Sequence, residues 1–137
     1  MKILASFAFF LSILTHGTQA EPSVEDIQVS YQAALLKTDE SRDRMVTKLN
    51  QQYTAALEKL QDKAQKSGNL EQAIAIKKEA ALLKTKNWPL PPVPEAVSRT
   101  LGRPRQTYLK ARIGIEREWA ISTTNLTDKM EKALEQD

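Results

Sequence analysis

The chain has 137 residues, 41% hydrophobic and 27% charged, with 20 Lys+Arg against 17 Asp+Glu. That length holds one domain of ordinary globular composition. Cysteine is absent, which excludes disulfides, thiolate metal sites and cysteine nucleophiles.

The first residues read as an address. Met1-Lys2 gives a positive start, Ile3 to Leu14 is apolar apart from Ser6 and Ser12, and Thr18 and Ala20 form a small-x-small end. This is the pattern of a secretory signal peptide, residues 1–20, with cleavage expected before Glu21. The apolar run is too short for a spanning helix, which needs about 20 residues. The only histidine, His16, and all three phenylalanines, Phe7, Phe9 and Phe10, would leave with it. The remaining chain carries 19 basic and 17 acidic residues. Without His or Cys it lacks the usual groups for metal binding and neutral-pH proton transfer. No cofactor, no metal and no catalytic residues are expected, and the chain is read as not an enzyme. No later apolar stretch has membrane length, so no transmembrane anchor is expected. The near balance of charge and the exported compartment argue against nucleic acid. Export without disulfides points to a bacterial envelope protein, periplasmic or secreted.

The predicted fold is all-α: a long antiparallel helical hairpin over 21–87, coiled-coil-like, plus a third long helix, with an elongated outline. Ser23 can cap the first helix, and Glu25 and Asp26 suit its positive end. Val24 to Ser67 contains no Pro or Gly, and an uninterrupted helix of that length points to coiled-coil packing. Ile27, Tyr31, Leu35, then Met45, Leu49, Tyr53, Ala56, Leu60 and Ala64 keep spacings of three and four on either side of the ten-residue step from Leu35 to Met45. The stripe breaks at Thr38 and Arg42, inside the polar tract 39–44. There the helix is expected to bend, fray or run without a partner, or else to present a solvated face with pairs such as Glu40–Arg44.

The turn falls at 67–69. Gly68 takes the left-handed conformation that ends a helix, and Asn69 caps the next one, with Gln72 completing a capping box. The second helix, Leu70 to Lys86, is expected to turn Leu70, Ala73, Ile74, Ala80 or Ala81, and Leu83 inward. Residues 88–94, from Trp88 to Pro94, form a stiff proline-rich connector, with Trp88, Leu90 and Val93 lying on the hairpin. The third helix, within 95–137, is expected to be kinked or restarted near 102–104, because Pro104 lacks an N–H and clashes with the preceding turn. Val97, Leu101, Tyr108, Ala111, Ile115, Trp119, Ser122, Leu126, Met130 and Ala133 continue the spacing, with seven residues across the gap at Pro104.

The stretch Tyr53-x3-Leu57-x2-Leu60-x3-Ala64-x3-Gly68-Asn69-Leu70-x2-Ala73-Ile74 resembles secreted, mostly uncharacterised coiled-coil proteins of planctomycete-like and verrucomicrobial bacteria. These carry a long helix, a Gly-Asp/Asn-Leu turn and an Ala-rich return helix. The resemblance covers Tyr53 to about Leu83 and implies the fold but no activity. The turn is also similar to the middle of a tetratricopeptide repeat, but the helix before it is far too long and no further repeat follows.

Few residues offer chemistry. Glu116 and Glu118 point to different sides of a helix, and Glu71 and Glu79 are placed on an exposed flank. Asn125-Leu126-Thr127 is formally a sequon, but on a helix, whereas acceptors favour loops. Arg99, Arg103, Arg105, Lys110 and Arg112 give five cations in 14 residues with no acid between them. They suit an anionic polysaccharide or lipid headgroups, or else form a solvated stretch that pairs with the acidic tract 39–43.

The function expected is a non-catalytic exported protein acting in structure or protein–protein interaction. Its partners are a second copy or other envelope proteins, through the stripe Ile27, Tyr31 and Leu35, which the short second helix cannot reach. Covering that stripe needs the third helix or another chain. The alternatives are a binding module for an anionic polymer through the basic cluster 99–112, and a peptide-binding helical adaptor.

Overall fold

The computed structural model describes residues 20–85 and 87–136. Of the signal peptide expected over residues 1–20, residues 1–19 lie outside them. Three helices follow in order: α1 (Val24–Lys66), α2 (Leu70–Lys84) and α3 (Ser98–Glu135), with a 3-10 turn at Glu95–Val97 before α3. The described residues are all-α, a long helix pair plus a third helix, and contain no strand. At 1.5 Å per residue, α1 is about 64 Å long and α2 about 22 Å.

Local chemistry sets the ends. Ser23 Oγ accepts from the Asp26 N–H at 3.2 Å, and Asp26 Oδ2 accepts from the Ser23 N–H at 3.2 Å, a complete capping box. At the far end Gly68 has φ +75°. The Asn69 N–H donates to the Ala64 carbonyl at 2.9 Å and the Gly68 N–H to that of Gln65 at 3.0 Å. These two bonds satisfy helix-end carbonyls and reverse the chain. Asn69 Oδ1 accepts from the Gln72 N–H at 3.1 Å and caps α2. The Gln72 side chain does not close the expected box; its amide donates to Thr100 Oγ1 on α3.

One register places α3 on α1. Asn50–Tyr108, Arg42–Glu116, Asp39–Trp119 and Tyr31–Thr127 are all hydrogen-bonded. Each step forward on α1 is matched by a step back on α3, so the two helices are antiparallel along nearly their whole length. α2 also runs antiparallel to α1 and lies beside the first turns of α3, where Gln72 meets Thr100 and Glu79 meets Arg105. The connector climbs back between them, with Trp88 near Tyr108 and Pro91 near Arg105.

The core therefore sits at the turn end. Leu57, Ile76, Val97 and Leu101 are fully buried, with Tyr53, Ala64, Ala73, Leu83 and Tyr108 around them. Each such Leu or Ile contributes roughly 1.5–3 kcal/mol of transfer free energy. Beyond α2 only two helices remain, so the seam residues Ile115, Trp119, Leu126 and Met130 are half-buried.

Three expectations are corrected. Of the kink or restart expected near 102–104, the restart does not occur: α3 continues through Pro104. One N–H is missing there, and the buried Leu101 on one side and Arg105 and Tyr108 on the other hold the helix together. α2 is rotated from the expected phase: Ile76 and Glu79 are buried beside Ala73 and Leu83, while Leu70 and Ile74 are 67% and 56% exposed. On α1, Leu57 is a core residue and Met45 is exposed.

Candidate functional site

The buried residues of α2 and α3 are apolar or aromatic except at one level, where they carry opposite charges. Glu79, expected on an exposed flank, and Arg105, expected in a surface cluster, are 3% and 4% exposed. Arg105 Nη1 donates to Glu79 Oε2 at 2.9 Å and to Oε1 at 3.1 Å, and Nη2 donates to the Pro91 carbonyl. Tyr53 Oη donates to Glu79 Oε1 at 2.9 Å. The Tyr53 ring stacks on Tyr108, centroids 4.7 Å apart, and Tyr108 Oη donates to Asn50 Oδ1 at 2.8 Å. This node joins α1, α2, the connector and α3. Burial, reinforced by the Glu79 charge and hydrogen bond, raises the pKa of the Tyr53 phenol well above its usual range. Burial also raises that of Tyr108, against the opposing pull of Arg112. Among the described residues no buried side-chain N or O atom lacks a partner.

A second polar belt lies where the apolar stripe of α1 breaks. Arg42 donates to both carboxylate oxygens of Glu116, at 2.9 and 3.0 Å, and Arg112 donates to the same carboxylate at 2.9 Å. The Arg42 guanidinium lies 4.7 Å over the Trp119 ring, whose Nε1 donates to Asp39 at 2.7 Å. Arg112 lies 4.9 Å over the Trp88 ring. The tract 39–44 is therefore neither frayed nor unpartnered. It meets α3 through Trp119 and Glu116, while Glu40 and Arg44 are exposed and form no pair among the described residues.

The five-cation cluster divides. Arg105 is inside the bundle and Arg112 is half-buried against Trp88 and Glu116, so neither belongs to a surface grip. Arg99, Arg103 and Lys110 are exposed. The stripe Ile27, Tyr31 and Leu35 is half-buried along the face that meets α3, with Tyr31 Oη 3.2 Å from Thr127 Oγ1. Gly68 and Asn69 are turn and cap, as their chemistry requires. A signal for Arg105 was present: the α3 seam steps seven from Leu101 to Tyr108, and Arg105 sits at the skipped position.

Charge is sorted along the molecule. Residues 48–85 and 87–112, which form the three-helix head, carry 12 Lys+Arg against 5 Asp+Glu in the sequence. Residues 21–47 and 113–136, the two-helix tail, carry 6 against 11. Lys59, Lys63 and Lys66 line an open depression with Asp62 and Ser67 on the head. No described helix is long and apolar enough to cross a membrane. No protein-family model, curated protein or solved structure matches the chain.

Proposed function

We propose that the chain is an exported, non-catalytic coiled-coil rod of a bacterial envelope, acting by contact with other macromolecules. The observation that carries this reading is the fate of the charged groups. Those in the interior are used on one another, binding four segments into one body, while those on the surface are sorted into a basic head and an acidic tail. Such an arrangement orients a rod toward charged partners. The N-terminal pattern and the resemblance of the Gly68-Asn69-Leu70 turn to secreted coiled-coil proteins supply the compartment.

Export is tested by fusing residues 1–20 to a reporter active only outside the cytoplasm; an inactive reporter removes the envelope from the proposal. Interaction is tested by cross-linking the tagged protein in intact cells. Recovery of the protein free of any cross-linked partner, itself included, counts against a contact role.

A second reading, binding of an anionic polysaccharide, is favoured by the exposed cations of the head, Arg99, Arg103 and Lys110 with Lys59, Lys63 and Lys66. It predicts retention on a polyanion column that weakens steeply with salt and is lost in the Arg99→Glu/Arg103→Glu variant. Retention unchanged by those substitutions dismisses it.

A further inference from the structure

Two exposed helix faces share one spacing. On α2, Leu70, Ile74, Lys77, Ala81 and Lys84 follow at steps of four, three, four and three; on α1, Val29, Ala33, Leu36, Glu40 and Asp43 do the same. Steps of this kind align side chains on one helix face. All ten residues are exposed. The large apolar ones stand well out of the surface: Leu70 at 67%, Ile74 at 56%, Val29 at 65% and Leu36 at 61%. Each stripe is apolar at its N-terminal end and charged at its C-terminal end, and the charges are opposite. Laid side by side in parallel, Leu70 meets Val29, Ile74 meets Ala33, and Lys84 meets Asp43. Lys77 covers Leu36 with its stem while its ammonium reaches toward Glu40, the usual behaviour of a long amphipathic side chain.

The stripes cannot meet within one molecule. α2 is antiparallel to its own α1 and packs on the head, where Tyr53 meets Glu79, while the acidic stripe lies in the tail. A second copy turned end for end satisfies both conditions. Its α2 then runs parallel to the first copy's α1, and its basic head lies along the acidic tail. The match is reciprocal. Glu79 sits level with Tyr53, so the α2 stripe occupies the levels of α1 from about residue 62 down to about residue 48, and the α1 stripe runs from 29 to 43. Pairing the two places the twofold axis near Met45, where Met45 and Ile113 are themselves exposed, at 39% and 49%. The contact is then made twice and closes.

We propose that two copies of this chain form an antiparallel twofold dimer, with the α2 face Leu70-Ile74-Lys77-Ala81-Lys84 of each lying along the α1 face Val29-Ala33-Leu36-Glu40-Asp43 of the other. The proposal deepens the reading of the chain as an interaction rod by naming the partner.

The test is sedimentation equilibrium of the chain from Glu21 onward, which contains all three helices. Lys77→Glu/Lys84→Glu and Glu40→Lys/Asp43→Lys each weaken dimerisation by about tenfold or more, because symmetry counts every exposed pair twice. The fourfold variant, with the charges exchanged, recovers it. All four positions are exposed, and circular dichroism checks that the helices persist. Because the chain has no cysteine, a mixture of the Val29→Cys and Leu70→Cys variants gives the mixed disulfide in preference to either homodisulfide. A monomer at the highest soluble concentration in low salt overturns the proposal. So does a dimer indifferent to the charge reversals, or one that the fourfold variant fails to restore. A monomer that is retained on a polyanion column overturns self-pairing and leaves the interaction reading standing; a monomer without any cross-linked partner in cells removes both.

Discussion

The buried pair Glu79–Arg105 gives the most direct measurement of how this bundle is held. Replacing Arg105 by Met keeps the length and apolar stem of the side chain but leaves the Glu79 carboxylate, 3% exposed, with Tyr53 Oη as its remaining donor. Stranding one member of a buried pair costs about 3–5 kcal/mol. For a chain of this length that is a fall in Tm of about 10–20 °C. Removing the whole side-chain network with Tyr53→Phe/Glu79→Leu/Arg105→Met leaves no stranded charge and recovers stability to within about 1–2 kcal/mol of the parent. Urea melts followed by far-UV circular dichroism at pH 7 measure both variants. The reasoning fails if Arg105→Met costs less than about 1 kcal/mol, or if the triple variant is no more stable than the single one.

Tyr53→Phe alone removes a hydrogen bond to a charged acceptor and costs about 1.5–3 kcal/mol at pH 7. Because the Tyr53 phenol's pKa is raised on folding, its contribution is fully present below about pH 10 and is lost as the unfolded chain ionises above it; the alkaline limb of a stability–pH curve flattens in the variant, and an identical limb refutes the assignment. Gly68→Ala meets nothing within 4 Å of the new Cβ, so only the left-handed backbone resists it, at about 1–2 kcal/mol; an unchanged Tm shows that the turn tolerates L-residues. Arg42→Ala removes the fork to Glu116 and the cation over Trp119, costing about 1–2 kcal/mol, and the Trp119 emission moves to longer wavelength; unaltered fluorescence places that ring elsewhere. Amide exchange proceeds faster over 24–45 and 115–135 than over 53–64 and 97–108, since fewer side chains cover the two-helix tail; uniform protection along α1 contradicts this.

How much was legible follows from the range of each signal. The capping pair Ser23 and Asp26, the unbroken run after Val24 and the left-handed Gly68 act over a few residues, so sequence by itself determined α1, its end and the reversal into α2. Sequence also determined most of the apolar seams of α1 and α3, where steps of three and four recur, although Met45 stands outside the α1 seam and Leu57 enters it. α2 has no such contrast. Its apolar residues Leu70, Ala73, Ile74, Ile76, Ala80, Ala81 and Leu83 surround the axis, and only the helices packed against it decided that Ile76 and Glu79 face inward and Leu70 and Ile74 do not. Charge misled for a related reason. An isolated Glu or Arg belongs in water because desolvation is expensive, and a local reading places Glu79 and Arg105 on the surface. They are 26 positions apart in the chain, and the partner that makes burial tolerable exists only after α2 and α3 lie side by side. Pro104 was likewise read as a kink or a restart from its missing donor; α3 does not restart there, and the side chains packed before and after it keep the helix continuous. Caps, turns and periodicity are properties of neighbouring residues; helix phase, buried charge and the tolerance of a proline are properties of what is packed against them.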